Sequence, residues 1–597
     1  MKSVVPQRLL HCLLLSVTGL ALVLGAFWCL WTLTLWYRLH PHLPWRDLFV
    51  ILDDLLPLLQ GKAHWQDWRV LIEPHYAAHR IAIPRLLVAF DVSFFSGQNH
   101  TLYSGAWIGL FTCLVIYMAM AKDYFRDDTL AWFFCLGIVS TVFFAPAHLW
   151  NLINAINASW HITFACAFAS FFVLLRRPGK PGVLAWTLAY CLATVAAFTT
   201  FAGVILWLML PVLAINTSRR TLILTAGFSL LLTASYTSGL SSDAEIASNW
   251  KTGSAEIVNK MHTTGVEAIA QNTPLVIVKK AMVLLAWPFS QENPAIAFIL
   301  VGLSLLALAY HGILFLKSQF SEKYEVSPWL KLCVLIAILC FGVALAIQLG
   351  RVIEQPNHAD GPSFERYNTV VAVYWAGIFG LVLSQLTRLP DALRLTLMTF
   401  SLLVVNLLIT PQGSYLQQEI LSVESAAELF ARGETPALKG KQGKRLLRSR
   451  PEYIYKFEPF FAAGKLAYLA PREHVTRTSD LENCSPAVLM PVLSPSPRPG
   501  YDKVHTRIRG FYGFIARDIQ LRDDNTLAAR LIAKHRGNYT PLALIKPDNT
   551  SWEGLIRATD VDHRPLHLHL DTLGKLPFHC RMSVLARKTD HSDQKQG

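Results

Sequence analysis

Charge is scarce in this chain: only 16% of its 597 residues are Asp, Glu, Lys or Arg, while 53% are hydrophobic and the mean hydropathy is +0.36. So low a charged fraction excludes an ordinary soluble domain and a disordered chain, and points to a polytopic membrane protein. Cysteine gives no framework either. Eight of the ten cysteines sit in apolar runs, where a thiol behaves as a small apolar side chain, and only Cys484 and Cys580 lie outside them. If the tail is extracytoplasmic, those two are the candidates for a disulfide. No phosphate-binding glycine loop, dinucleotide fingerprint, H-E-x-x-H pattern or internal repeat is present, which argues against a nucleotide-sugar site and a simple zinc hydrolase. No small-residue cleavage site follows the first apolar run, Leu9 to Tyr37, so that run reads as a retained anchor.

Spanning-length runs then recur near 101–121, 129–148, 158–175, 183–199, 201–216, 221–240, 294–316, 329–349, 368–387 and 393–410. With the first, they make about eleven expected transmembrane helices, so the fold class is mainly α. The stretch 274–290 is apolar but interrupted by Lys279 and Lys280 and closed by Pro288, and reads as a partial or re-entrant helix. Lys2, Arg8, Lys122, Arg126, Arg176, Arg177, Lys180, Arg219, Arg220, Lys317, Lys323, Lys331 and Arg388 fall on one side of this alternation. That side is expected to be cytoplasmic, with the N-terminus. The loops 37–100, 241–293 and 350–367 then face outward, as does everything after Pro411. The membrane domain is expected over 1–410. The remainder, 411–597, has short alternating segments that predict a β-rich or mixed extracytoplasmic domain. The net charge of +14, with no nucleic-acid module in sight, fits loop topology and contact with anionic lipid head groups.

Chemistry gathers in the first long loop. Asp53 and Asp54 close a short apolar run and precede Pro57, which predicts a short interfacial helix holding two carboxylates at the membrane boundary. Adjacent acids in a low dielectric push their proton affinities apart, so one can serve as a base. A solvated helix end gives the same pair. Glu73, His75, His79 and Arg80 follow; on a helix His75 and His79 would share a face, a spacing open to a metal but equally to hydrogen bonding. Arg80 offers a planar fork for phosphate. The bland alternative is an interfacial helix whose charged side chains snorkel. In the tail, His567, His569 and Asp571 alternate along a segment that predicts either one face of an exposed strand or a metal set.

A first span, a long outer loop with an acidic pair, many further spans and a soluble C-terminal region resemble the GT-C superfamily of integral membrane glycosyltransferases. The resemblance rests on Asp53-Asp54, Trp65 and Trp68, Ala78-His79-Arg80 and Pro84-Arg85-Leu86-Leu87, and on Gly350-Arg351 and Arg366-Tyr367 in a later outer loop. Ala78 stands where the family's pattern has an acid; Glu73 is the nearest one. The resemblance covers about the first 410 residues. It implies a polyprenyl-phosphate sugar donor, a glycan, lipid or protein acceptor, Asp53 or Asp54 as general base, and arginines on the departing phosphate. No cofactor is required, and a divalent metal is tolerated. Two other classes remain open: a transporter or flippase of lipid-linked glycans, and a non-catalytic assembly subunit.

Overall fold

The computed structural model describes residues 7–39, 47–59, 65–75, 79–176 apart from Ser96, 179–238, 274–286, 294–354 apart from Glu322, 364–407, and strands within 482–583. The chain divides into two compact units, one of residues 1–40, 54–91 and 99–412, the other of 41–53, 92–98 and 413–597.

The first unit is helical. Its long elements are α1 (Gln7–Leu39), α5 (His100–Tyr124), α6 (Thr129–Phe144), α8 (Ala158–Leu175), α9 (Val183–Ala197), α10 (Ala202–Ala214) and α11 (Arg219–Thr237). They are followed by α12 (Pro274–Leu285), α13 (Pro294–Phe320), α14 (Pro328–Glu354), α15 (Asn368–Leu383) and α16 (Asp391–Leu407). Shorter elements are α2 (Asp47–Asp54), which belongs to the second unit up to Asp53, α3 (Leu56–Leu59), α4 (Ala82–Phe95), which belongs to the first unit up to Asp91, and α7 (Leu149–Ile153). Among the described residues six helical segments, 7–37, 100–124, 155–175, 298–320, 328–349 and 368–388, are long and apolar enough to cross a membrane. This is a membrane-embedded helical protein. Three further apolar helices, α6, α9 and α10, are shorter.

Packing ranks the spans. α15 is the most enclosed of the six, and α1 and α13 the least. The outward faces of α1 and α13 carry Leu20, Val23, Leu30, Leu303 and Leu306, all exposed, as expected of surfaces that meet acyl chains. The opposite face of α1 lies against α6 at backbone distance: a Cβ on Gly137 would meet the Ala21 carbonyl carbon at 2.4 Å, and one on Gly25 the Gly137 oxygen at 2.8 Å. Only glycine permits that approach, the small-residue packing typical of membrane helices. Asp128 caps α6 by accepting from the Ala131 N–H at 3.0 Å and also receives Arg394 Nη2 of α16 at 2.6 Å.

Where an apolar run was expected to continue to residue 148, α6 stops at Phe144. Ala145 turns extended, with ψ 143°, as a residue before proline prefers, and Pro146 opens a broken stretch that ends only at α8. The second unit holds the strands: β3 (Glu482–Asn483), β4 (Val492–Pro495), β5 (Tyr501–Arg507), β6 (Ile515–Asp523), β7 (Thr526–His535), β8 (Asn538–Tyr539), β9 (Thr550–Arg557), β10 (His567–Leu573) and β11 (His579–Ser583). They pair in the order β3-β11-β10-β6-β7-β9-β5-β4, with β8 on β7. His567, His569 and Asp571 fall on β10, opposite Ser583, Arg581 and His579 of β11, and their side chains lie outside the described residues.

Candidate active site

The first loop is built around Asp54, the last residue of α2. Its partner is anchored from the far end of α9: the carbonyl of Phe198, the residue directly after that helix, accepts from Ile83 N at 3.0 Å and fixes the start of α4, which carries Arg85. Arg85 is 2% exposed. Its Nη2 donates to Asp54 Oδ2 at 2.7 Å and its Nη1 to the Glu73 carbonyl at 2.5 Å, so one guanidinium ties the carboxylate to the loop backbone. His75 Nδ1 lies 3.7 Å from the same carboxylate oxygen, too far for a formed hydrogen bond but close enough for electrostatic contact. Burial pushes the Asp54 carboxyl up, but His75 and Arg85 together outweigh it, so it titrates below its ordinary value. With 30% of its side chain exposed, Asp54 is an ionised carboxylate within reach of solvent.

The histidines are arranged otherwise than a helical spacing predicts. Pro74–His75 (β1) and His79–Arg80 (β2) form a short antiparallel ladder in which His75 faces His79 and Pro74 faces Arg80. Their rings meet edge to face at 5.8 Å as cross-strand neighbours, not as successive turns of one helix. Pro74 disfavours helical backbone at Glu73, which explains the difference.

Arg80 is engaged differently from the phosphate fork expected of it. Its backbone N–H donates to Tyr236 Oη at 2.8 Å, while Nε, Nη1 and Nη2 donate to the carbonyls of Tyr236, Ile72 and Ser238 at 3.0, 2.6 and 2.7 Å. Three of its five guanidinium N–H groups are thereby spent on backbone carbonyls, two fastening the loop to the end of α11 and one closing the loop on Ile72. Glu73 contributes its carbonyl to Arg85, and its side chain is exposed. Asp53 belongs to the second unit and is half-buried.

The later loop supplies a second group. Arg366 lies over the Tyr367 ring at 5.6 Å, and Tyr367, buried, meets Trp160 of α8 edge to face at 5.8 Å. Arg351 sits in the last turn of α14, and its side chain lies outside the described residues. Beside Trp160 the broken stretch between α6 and α8 buries His148, Asn151 and Asn157 together with His161, Asn368 and Thr369. None of these, nor Arg85 in its role as the partner of Asp54, stands out in sequence. The available signal is the density of His and Asn over 146–161, across the gap between the expected runs 129–148 and 158–175. Among the described residues no group of three or more His, Cys, Asp or Glu side chains is placed to hold a metal ion.

Comparison with family models, with curated proteins and with solved structures finds no match to this chain.

Proposed function

We propose that this chain is a membrane glycosyltransferase of the GT-C type, transferring a sugar from a polyprenyl-phosphate carrier to a glycan, lipid or protein acceptor. In this reading about eleven spans cross a bacterial inner membrane, the N-terminus is cytoplasmic, and residues 411–597 form an extracytoplasmic domain. The observation that carries it is the Asp54–Arg85 pair: an ionised carboxylate, held by a buried guanidinium and open to solvent, in the loop after the first span.

The acceptor hydroxyl gives its proton to Asp54 as its oxygen bonds to the anomeric carbon. The bond from that carbon to the phosphate oxygen breaks, and its electron pair leaves with the lipid phosphate. Arg85 leaves one carboxylate oxygen for the proton by occupying the other. Arg366 and Arg351, from the two ends of the later outer loop, stabilise the departing phosphate in this reading, and displacement in one step inverts the anomeric centre. Asp53 is the alternative base. His75, His79, Arg80 and Tyr367 shape the surroundings, Arg80 by holding the loop rather than by gripping the donor.

The test is transfer by the purified protein from a set of polyprenyl-phosphate sugars, with Asp54→Asn and Asp53→Asn beside the parent. One observation favours a second reading: a carrier of lipid-linked glycans would use histidines buried between helices, such as His148 and His161. Movement of the labelled donor across vesicles without formation of a new glycosidic bond would favour that reading.

A further inference from the structure

We propose that Tyr236 is a positioning residue for Asp54, a role in catalysis that rests on the transferase reading, and that it acts from an aromatic block at the ends of α9 and α11. Two ties, three residues apart, fix the chain just before Arg85. Arg80 N–H donates to Tyr236 Oη at 2.8 Å, and Ile83 N–H donates to the Phe198 carbonyl at 3.0 Å. The two acceptors are remote in sequence but belong to one packed unit. The Phe198 and Tyr236 rings meet edge to face at 5.7 Å, and Tyr236 also meets Trp207 at 6.0 Å and Phe201 at 6.3 Å.

The block is built to keep its shape. Tyr236 and Trp207 are both buried, and the turn from α9 to α10, which brings Phe198 and Phe201 to the same ring, is closed so tightly that a Cβ on Gly203 would overlap the backbone of Ala196 and Ala197. From there each step to the carboxylate is a hydrogen bond or a strand pair. Arg80 lies in β2, paired with Pro74 of β1, and Pro74 follows Glu73. The Glu73 carbonyl accepts from Arg85 Nη1 at 2.5 Å, while Nη2 of the same guanidinium donates to Asp54 Oδ2 at 2.7 Å. Phe198 therefore sets the root of the Arg85 side chain, and Tyr236, through the ladder, sets its backbone acceptor.

One atom of this path can be deleted without disturbing the apolar packing. Tyr236→Phe keeps the ring in its cage and keeps the backbone carbonyls of Tyr236 and Ser238 that hold the Arg80 guanidinium, but it leaves the Arg80 N–H without its acceptor. The ladder then loosens at β2, and the guanidinium that orients Asp54 loosens with it. Small misplacements of a catalytic group cost rate out of proportion to their size, whereas binding of a donor held by other residues is spared.

The full-length protein in one detergent is compared as parent, Tyr236→Phe, Asp54→Asn and the double variant. Hydrogen exchange read by mass spectrometry over residues 72–85 is expected to be slow at Arg80 and Ile83 in the parent and roughly tenfold or more faster in Tyr236→Phe. The melting-temperature loss caused by Tyr236→Phe should be smaller in Asp54→Asn than in the parent. In the transfer assay kcat should fall by roughly ten- to a hundredfold with donor KM within about twofold, and Tyr236→Phe should add no further loss to Asp54→Asn. Unchanged exchange over 72–85, additive melting losses, or an equal fall in kcat in both backgrounds would each overturn the positioning role. Fast exchange at Arg80 and Ile83 in the parent would do so even if a variant failed to fold. A parent that transfers from no polyprenyl-phosphate sugar would instead remove the transferase reading, and with it the catalytic role, while exchange and melting still decide whether Tyr236 is coupled to Asp54.

Discussion

Arg85 Nη2 and Asp54 Oδ2 meet at 2.7 Å across thirty-one residues of sequence, with the arginine buried and the aspartate part open. Removing only the carboxylate strands a buried cation, whereas removing both charges does not. We expect Arg85→Met and Asp54→Asn each to lower thermal stability, by roughly 1–4 kcal/mol, and the double variant to lose less than their sum. Melting curves of the three variants in one detergent test this; strict additivity would show that the pair contributes no coupling.

Acid dependence follows from the same contact. The folded state holds the Asp54 carboxyl below its ordinary value, so its contribution is complete above the unfolded carboxylate value, about 3.9, and is lost as pH falls through the folded value. Between neutral pH and about 5, therefore, neither stability nor transfer should decline on account of Asp54. Below that range the parent should lose stability faster than Asp54→Asn. Parallel acid slopes in the two proteins would contradict the assignment.

Two of the candidate phosphate arginines, Arg80 and Arg366, should part company on substitution. Arg80 spends its guanidinium on the carbonyls of Ile72, Tyr236 and Ser238, so Arg80→Lys is expected to loosen the first loop and reduce stability. Arg366→Lys keeps a charge near Tyr367 but loses the planar fork, so donor KM should rise with little change in expression. A rise in KM with Arg80→Lys at unchanged stability would reverse these roles.

Much of the helical plan was legible in the apolar runs: each of the eleven expected spans contains a helix, since backbone groups in hydrocarbon leave few alternatives. Length is where the reading ran ahead: among the described residues six of these segments are long and apolar enough to cross a membrane, and α6 is cut short at Pro146. In the loop, Asp54 was legible as a boundary carboxylate. Its partner was not, because Arg85 reaches it through a fold-back anchored by Phe198, a residue more than a hundred positions away, and no local period encodes that contact. The histidine pair failed for a simpler reason: a four-residue spacing suits a helix and a tight hairpin alike, and Pro74 decided for the hairpin. The polar break at 146–161 was hidden by the apolar residues that flank it.

Orientation is testable apart from chemistry. With eleven crossings, as proposed, the basic loops would share the cytoplasmic side, so a reporter joined after residue 430 is expected to be active only outside the cytoplasm. Activity inside would put the first loop on the side opposite to the one the proposed donor requires.

The central claim is that Asp54 takes the proton of the acceptor, and single-residue replacement in a purified transfer assay tests it most directly. Asp54→Asn keeps the side chain's size while removing the proton acceptor, so transfer from the polyprenyl-phosphate sugar should fall by roughly two to four orders of magnitude with donor binding retained. Asp53→Asn should keep most of its activity. Full turnover in Asp54→Asn, with loss confined to Asp53→Asn or to neither variant, would contradict the account.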